Sequence, residues 1–239
     1  MKKTLFFVAF LLSAAFVQAQ NAEEIVAKHL EATGATNWAD VNSVKMEAKI
    51  SSDAAAGMTI LFSSTVVRDK SARMDVSVMG MTQSTAISGD KGWSTNPFMG
   101  QNDPEPITPD QIESMKDMLD IDGTFVGYKE KGYTLEYIGT EDVEGTEAIK
   151  IKVNKGKKTE YSFFDPATFY EIKQTKVEEV DGQTVEESTL MSNFKKTDKG
   201  VVVPFTIQTV GPMGPATISL TGMTFNPAID QKIFDMPQK

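Results

Sequence analysis

The 239-residue chain has no cysteine and a single histidine, His29. Disulfides and thiolate metal sites are thereby excluded, and one imidazole can neither build a typical zinc site nor offer a second candidate for a histidine-dependent triad. Long apolar runs are missing except near the start, where Leu5 to Val17 is interrupted only by Ser13 and follows Lys2 and Lys3. That run is about thirteen residues, whereas a bilayer core of ~30 Å takes about 20 helical residues to cross. Together with the small residues of Val17-Gln18-Ala19 it reads as a secretory signal peptide over residues 1–19, cleaved after Ala19 so that the mature chain starts at Gln20. A periplasmic protein with no permanent membrane anchor is expected, and no cysteine is present to carry an N-terminal lipid. Basic charge is also scarce: 24 Lys and Arg face 33 Asp and Glu, and the formal charge of -9 becomes -11 once Lys2 and Lys3 are removed. Such a chain repels phosphate backbones, which excludes nucleic acid as an expected partner. About 220 residues bury roughly 70 % of their unfolded surface, so residues 20–239 can form one domain without covalent staples.

What is present is dominated by a period of two. Val44, Met46, Ala48 and Ile50 alternate with polar residues, as do Met58, Ile60 and Phe62, then Met74, Val76 and Val78. Each is a strand with one apolar face. From Tyr133 onward, alternating segments are separated by Asn154-Lys155-Gly156, Asp165-Pro166, Asp181-Gly182 and Lys199-Gly200, and a late hairpin turns at Gly211-Pro212-Met213-Gly214; such spacing builds antiparallel meanders. Two helices are expected. Ala22, Ile25, Val26 and Leu30 share a helical face, Gly34 is placed to stop that helix, and Trp38 follows as a plug against the sheet. Thr108-Pro109-Asp110-Gln111 supplies an N-cap hydroxyl, a first-turn proline, an acid and a capping-box glutamine, so the second helix begins at Pro109 and presents Ile112, Met115, Met118 and Leu119 on one side before Gly123 stops it. The fold class is α+β, mainly antiparallel β, and the large twisted sheet must cover its inner face with the helices or curl on itself.

The stretch Ile87 to Gln101 places Trp93, Phe98 and Met99 among Gly89, Gly92, Pro97 and Gly100. These apolar side chains need cover, either from the body of the protein or from a ligand. Met74, Met79, Met81, Met99, Met115 and Met118 fall around this stretch and the second helix. Flexible thioethers conform to an acyl chain or fill an irregular core, and both readings stand.

The order Gly92-Trp93 and Asn96-Pro97-Phe98 after a strand resembles the periplasmic lipoprotein carriers of the LolA type. The opening AEEIVAKHLEATG, the segment VRDKSARMDVSVMGM and the closing IDQKIFDMP are similar to the branch called outer-membrane lipoprotein-sorting proteins. The resemblance implies an unclosed half-barrel of about ten or eleven strands, with short helices over a cavity that holds acyl chains and no cofactor. It implies a carrier taking lipoproteins or other acylated ligands from an inner-membrane loading complex to an outer-membrane acceptor. At ~0.8 kcal/mol per methylene, a sixteen-carbon chain costs on the order of 12 kcal/mol to expose, so a lipid crosses water only inside a protein. The ligand-binding candidates are then Trp93, Phe98, Met99, Met74, Met79, Met81, Ile112, Met115, Met118 and Leu119. Arg68 is the positional match to an arginine that holds the family's lid closed, although Asp69 stands where the family has proline, and pairing with Asp69 or Asp75 at a solvated strand end is the other reading.

Catalysis has little to build on. Asp120-Ile121-Asp122-Gly123 resembles part of a calcium loop, but Met118 and Lys129 occupy the first and twelfth positions, and the acids read as a solvated helix end. No enzyme and no metal are expected. Two further classes stand beside the carrier: an envelope sensor of the same fold that binds a protein partner or lipid without transporting it, and a secreted hydrolase, which requires a close pair of buried acids in a cleft.

Overall fold

The computed structural model describes residues 22–55, 57–156, 158–180, 183–211 and 214–238. The expected signal peptide, the Asp181-Gly182 reversal and Pro212-Met213 of the last hairpin lie outside the described residues.

Helix α1 covers residues 22–32. It is followed by strands β1 (Ser43–Ser52), β2 (Ile60–Val67), β3 (Ser71–Val78), β4 (Met81–Ser88), β5 (Lys91–Asn96) and β6 (Gln101–Pro106), then helix α2 (Pro109–Met115). Strands β7 (Thr134–Val143), β8 (Thr146–Lys155), β9 (Lys158–Phe164), β10 (Glu171–Val180), β11 (Gln183–Lys196), β12 (Val202–Gly211) and β13 (Gly214–Phe225) complete one sheet. Its order is β6-β5-β4-β3-β2-β1-β13-β12-β11-β10-β9-β8-β7. All neighbours are antiparallel, and the outermost strands β6 and β7 are not paired to each other, so the sheet is an unclosed barrel. It has thirteen strands, more than the ten or eleven expected. The polar segment β6, with Pro104 and Pro106, carries no alternation to announce it; as an edge strand it tolerates residues that cannot donate to a ladder.

Register decides what faces inward. Residues opposite one another in paired strands share a face. Val44, Met46, Ala48 and Ile50 of β1 stand opposite Val66, Ser64, Phe62 and Ile60 of β2, which stand opposite Ala72, Met74, Val76 and Val78 of β3. In the other direction Ile50 meets Ile218, Ile218 meets Ile207 and Ile207 meets Met191. Two residues from Met191, Thr189 meets Gln174, which meets Ser162, which meets Ile151. That inner face carries both helices. Ala22 and Val26 of α1 pack on Ile151, Val153, Phe164 and Phe125, whereas Ile112 of α2 packs on Val66, Ala72 and Ile87. A register shift between Glu47 and Ala48 keeps β13 in phase, because its apolar alternation jumps from Met223 and Phe225 to Leu220 and Ile218 across Thr221-Gly222.

The helix boundaries follow their local chemistry. Thr108 Oγ1 accepts from Gln111 N (3.3 Å) and Gln111 Oε1 accepts from Thr108 N (2.8 Å), the reciprocal cap expected at Pro109. The α-helical part stops at Met115 and tightens into a 3-10 turn over Lys116–Leu119, short of the expected stop at Gly123. After α1, Gly34 adopts φ 66°, and Val202 N donates to Thr33 O (2.9 Å), which ties the helix end to β12. Trp38 packs edge-on against Phe225, with ring centroids 5.7 Å apart.

A Cβ at Gly34 would lie 2.5 Å from the Gly200 carbonyl oxygen in a backbone conformation that L side chains resist. Gly34→Ala is expected to cost roughly 2 kcal/mol in urea denaturation while leaving far-ultraviolet circular dichroism unchanged.

Candidate functional site

The inner face divides into two regions of different chemistry. Towards the turns that end β1, β3 and β12, the inward side chains of five neighbouring strands are apolar and only half-buried: Ile50, Ile60, Phe62, Val76, Val78, Ile207, Ile218 and Leu220. Beside α2 the same face is sealed, because Val66, Ala72 and Ile87 are buried under Ile112, with Met115, Met118, Leu119 and Ile121 packed around them. Helix α2 and the turn after it therefore roof one end of an apolar trough and leave the other end open to solvent.

The second region is a charged cleft of about 980 Å³ between the segment after α2 and strands β9 and β10. Its walls include Arg68, Asp117, Asp120, Asp122, Lys131, Lys155, Lys158, Glu160, Lys176 and Glu178. Ion pairs cross it. Lys158 Nζ meets Asp117 (2.8 Å), Lys131 Nζ meets Asp120 (2.5 Å), and Arg68 binds Asp122 through Nη1. The remaining guanidinium donors of Arg68 go to the carbonyls of Val41 (2.7 and 3.0 Å) and Trp38 (2.7 Å). The hydrogen bond to Asp122 raises the Arg68 pKa above its ordinary value. Arg68 thus joins the end of β2, the turn after α1 and the segment after α2. Its partner is Asp122, not Asp69 or Asp75; Asp75 instead pairs with Arg73 (2.9 Å). Asp120 and Asp122, expected as a solvated helix end, are both ion-paired, and the Asp122 side chain is only 16 % exposed.

Set into the wall of the cleft is a buried polar cluster. Glu160 is 2 % exposed; its Oε1 accepts from Thr124 Oγ1 (3.0 Å) and its Oε2 from Lys155 Nζ (2.6 Å). Near it, Glu171 keeps a buried Oε1 with no hydrogen-bond partner. Burial, followed by the charge of Glu160, pushes the Glu171 carboxyl up to about 8. His29 is enclosed edge-on by Phe125 and Phe164 at 5.4 and 5.0 Å, and its Nδ1 donates to Phe169 O (2.9 Å). Burial lowers its pKa, so the ring is neutral at physiological pH.

The sequence candidates separate into three groups. Met74 is half-buried on the inner face, and Ile112, Met115, Met118 and Leu119 form the roof against it. Met79, Met81, Phe98 and Met99 are exposed on the turns at the open end. Trp93 is elsewhere. It stands opposite Ala86, which stands opposite Arg73, on the outer face, where it is 3 % exposed beneath the C-terminal turn Gln231–Phe234. Its Nε1 donates to Phe234 O (2.9 Å), and the Arg73 guanidinium stacks over it at 5.5 Å. Consecutive strand residues point to opposite sides, so it is Gly92 that faces inward, leaving space for Ile107, whose Cδ1 would be 2.7 Å from a Cβ there. Trp93 therefore stands apart from Phe98 and Met99, with which it was grouped as a ligand-binding candidate.

No family model and no curated protein matches the chain. Solved structures do. A LolA superfamily protein from Nitrosomonas europaea aligns over 89 % of this chain and 96 % of its own at 13 % identity and a TM-score of 0.56. A putative outer membrane lipoprotein-sorting protein domain from Vibrio parahaemolyticus aligns over 91 % and 97 % at 13 % identity and 0.52. The fold is LolA-like. A DUF1329 family protein from Desulfovibrio piger, at 11 % identity and a TM-score of 0.57 over 90 % and 97 % of the two chains, has the same architecture. In this LolA-like sheet a cavity for acyl chains was expected, but most of the residues that line the trough and the charged cleft were not named among the candidates, for different reasons. The trough's alternation is in the sequence, although its residues carry no individual mark. The cleft depends on ion pairs between residues 11 to 54 positions apart.

Two outcomes follow from this geometry. Arg68→Met leaves Asp122 without its cation and removes the side-chain donors of the Val41 carbonyl, while the Trp38 carbonyl keeps its bond from Val41 N; the expected loss is about 2 kcal/mol in urea denaturation, with faster amide hydrogen exchange over residues 119–124. For Glu171 the folded carboxyl holds a proton between pH 4.5 and about 8 that the unfolded chain releases, so its contribution to stability falls as pH rises through that window. Glu171→Gln should raise the melting temperature by a few degrees at pH 8.5 and by much less at pH 4.5.

Proposed function

We propose that the protein is a periplasmic carrier of acyl chains, exported by residues 1–19 and cleaved after Ala19, that binds lipoproteins or other acylated lipids in the trough of its half-barrel. The observation that carries this reading is the run of half-buried apolar side chains across β3, β2, β1, β13 and β12 on the concave side of an open sheet. Apolar surface left partly wet on five adjacent strands is costly at about 25 cal/mol per Å², and a hydrocarbon chain laid along it removes both that cost and its own. The charged cleft lies on the same face, so an amphiphile can place its chains in the trough and its polar part among the paired charges. Arg68 acts here as a positioning residue that holds the roof segment against the sheet.

The hydrolase reading asks for two carboxyls working in a cleft. Glu160 and Glu171 are neighbours, but both oxygens of Glu160 are engaged, and Glu171 does not line the cleft. Binding without catalysis fits this arrangement better.

Gentle purification from the periplasm followed by native mass spectrometry should show a chain starting at Gln20 with extractable acyl species bound. Phe62→Asp combined with Ile218→Asp, which puts two charges in the trough, should lower the bound fraction at least tenfold. Wild-type protein that copurifies with no acyl species and takes up none from vesicles would overturn the carrier reading.

A further inference from the structure

Six of the nine large apolar side chains left most exposed among the described residues are gathered at one end of the sheet: Met58, Met79, Met81, Phe98, Met99 and Val210, from 39 to 82 % exposed. The sheet order makes β6-β5, β4-β3, β2-β1 and β13-β12 four consecutive hairpins, and their turns all lie at that end. In sequence these turns are DAAAGMT at 53–59, MG at 79–80, PFMG at 97–100 and GPMG at 211–214; each has a methionine beside a glycine, and Asp53 is the sole charge among them. The opposite end contrasts in every turn, with RDK at 68–70, GD at 89–90, EG at 144–145, DPAT at 165–168 and TDKG at 197–200. In sequence the segments that join β8 to β9 and β10 to β11 also contrast, with Lys157 and Asp181. Turns favour polar residues and glycine, so four adjacent exceptions in an acidic chain require a cause.

Met79 sharpens the point. It occupies φ 52° ahead of Gly80 at φ 83°, a two-residue turn in which asparagine, aspartate or glycine avoids the steric cost of a left-handed side chain. Methionine takes that cost and is still 81 % exposed, so neither turn geometry nor core packing accounts for it.

We propose that this end of the half-barrel docks on an uncharged, zwitterionic lipid bilayer, with the methionine and phenylalanine tips entering the hydrocarbon boundary. Strands about 4.8 Å apart place successive hairpin tips about 10 Å apart, over an arc of roughly 30 Å. Thioethers so spaced cannot converge on one metal ion, and separate tips do not make the continuous packed centre that a protein interface requires. A fluid apolar phase accepts each tip independently. The charge pattern selects the lipid: anionic membranes are bound through Lys and Arg fringes, whereas these tips carry none and the chain as a whole is acidic. The inference stands apart from acyl carriage, although the tips border the open end of the trough.

Flotation with phosphatidylcholine vesicles tests it. The purified protein should float with the lipid, and Met79→Asp combined with Met99→Asp should lower the partition coefficient at least tenfold without changing the melting temperature, while Ala167→Asp at the opposite end leaves partition unchanged. Phe62→Asp, which spoils the trough, should also float like wild type. Failure of the wild type to float, or equal flotation of the double variant, would overturn the proposal. So would loss of flotation in Phe62→Asp, which would mean that vesicles are held through the trough. A lipid-free dimer in sedimentation velocity that the double variant dissolves would assign the tips to a second copy instead.

Discussion

The ladder between β1 and β13 is the contact on which the rest of the molecule depends. It joins a meander of six strands to one of seven, and without it the surfaces that seat α1 and α2 would belong to separate sheets. Pairing alone is not sufficient. A one-residue slip moves an entire strand's apolar set to the other face, and β13 changes phase at Thr221-Gly222. The register shift opposite Glu47 and Ala48 absorbs that change, so that Phe225 and Met223 serve the core around Trp38 while Leu220 and Ile218 serve the trough. One irregularity therefore lets a single strand contribute to both a sealed core and an open wall.

Arg68 does for the loops what this ladder does for the strands. Residues 38–41 and 119–122 meet beside the end of β2 with few backbone partners of their own. A planar guanidinium supplies several donors in fixed directions, which a lysine does not. Its ties to Trp38, Val41 and Asp122 hold the roof at the boundary between trough and cleft. The Asp117 to Lys158 and Asp120 to Lys131 pairs extend that anchorage across the cleft. The Asp117 to Lys158 pair is exposed and weak by itself, whereas Asp120 to Lys131 and Arg68 to Asp122 are each largely shielded, Arg68 to Asp122 the more so.

Much of the fold was legible in the sequence because it rests on local rules. Alternation announced β1 to β3 and the later meander, the Thr108 cap fixed the start of α2, and Gly34 ended α1. The polar, proline-bearing β6 escaped because edge strands do not need an apolar face. The candidate site was less legible. Trp93 sits between glycine and turn residues, so its hydrophobicity was visible but its side of the sheet was not. That depends on whether Gly92 or Trp93 occupies the inward register, and Ile107 decides it by filling the space over Gly92. Asp120 and Asp122 looked solvated because their partners, Lys131 and Arg68, are brought to them by the tertiary fold. The surroundings of the lone histidine were also invisible in the sequence, because Phe125 and Phe164, which enclose its ring, are distant along the chain.

A half-barrel with an acidic chain and no disulfide must reconcile a wet apolar trough with solubility. Charges are concentrated where the trough is not: along the cleft, on the turns of the roofed end, and on the hairpins beyond β12. The turns with no charge other than Asp53 are confined to the four hairpins whose strands form or border the apolar wall. Hydrophobic surface on the inner face and at the tips is thus continuous in position along the sheet, although different residues supply it through different constraints, alternation in the strands and glycine-permitted turns at the tips. Polarity is segregated along two axes, roof to open end and cleft to trough, and strand order and turn composition set that segregation before any individual contact does.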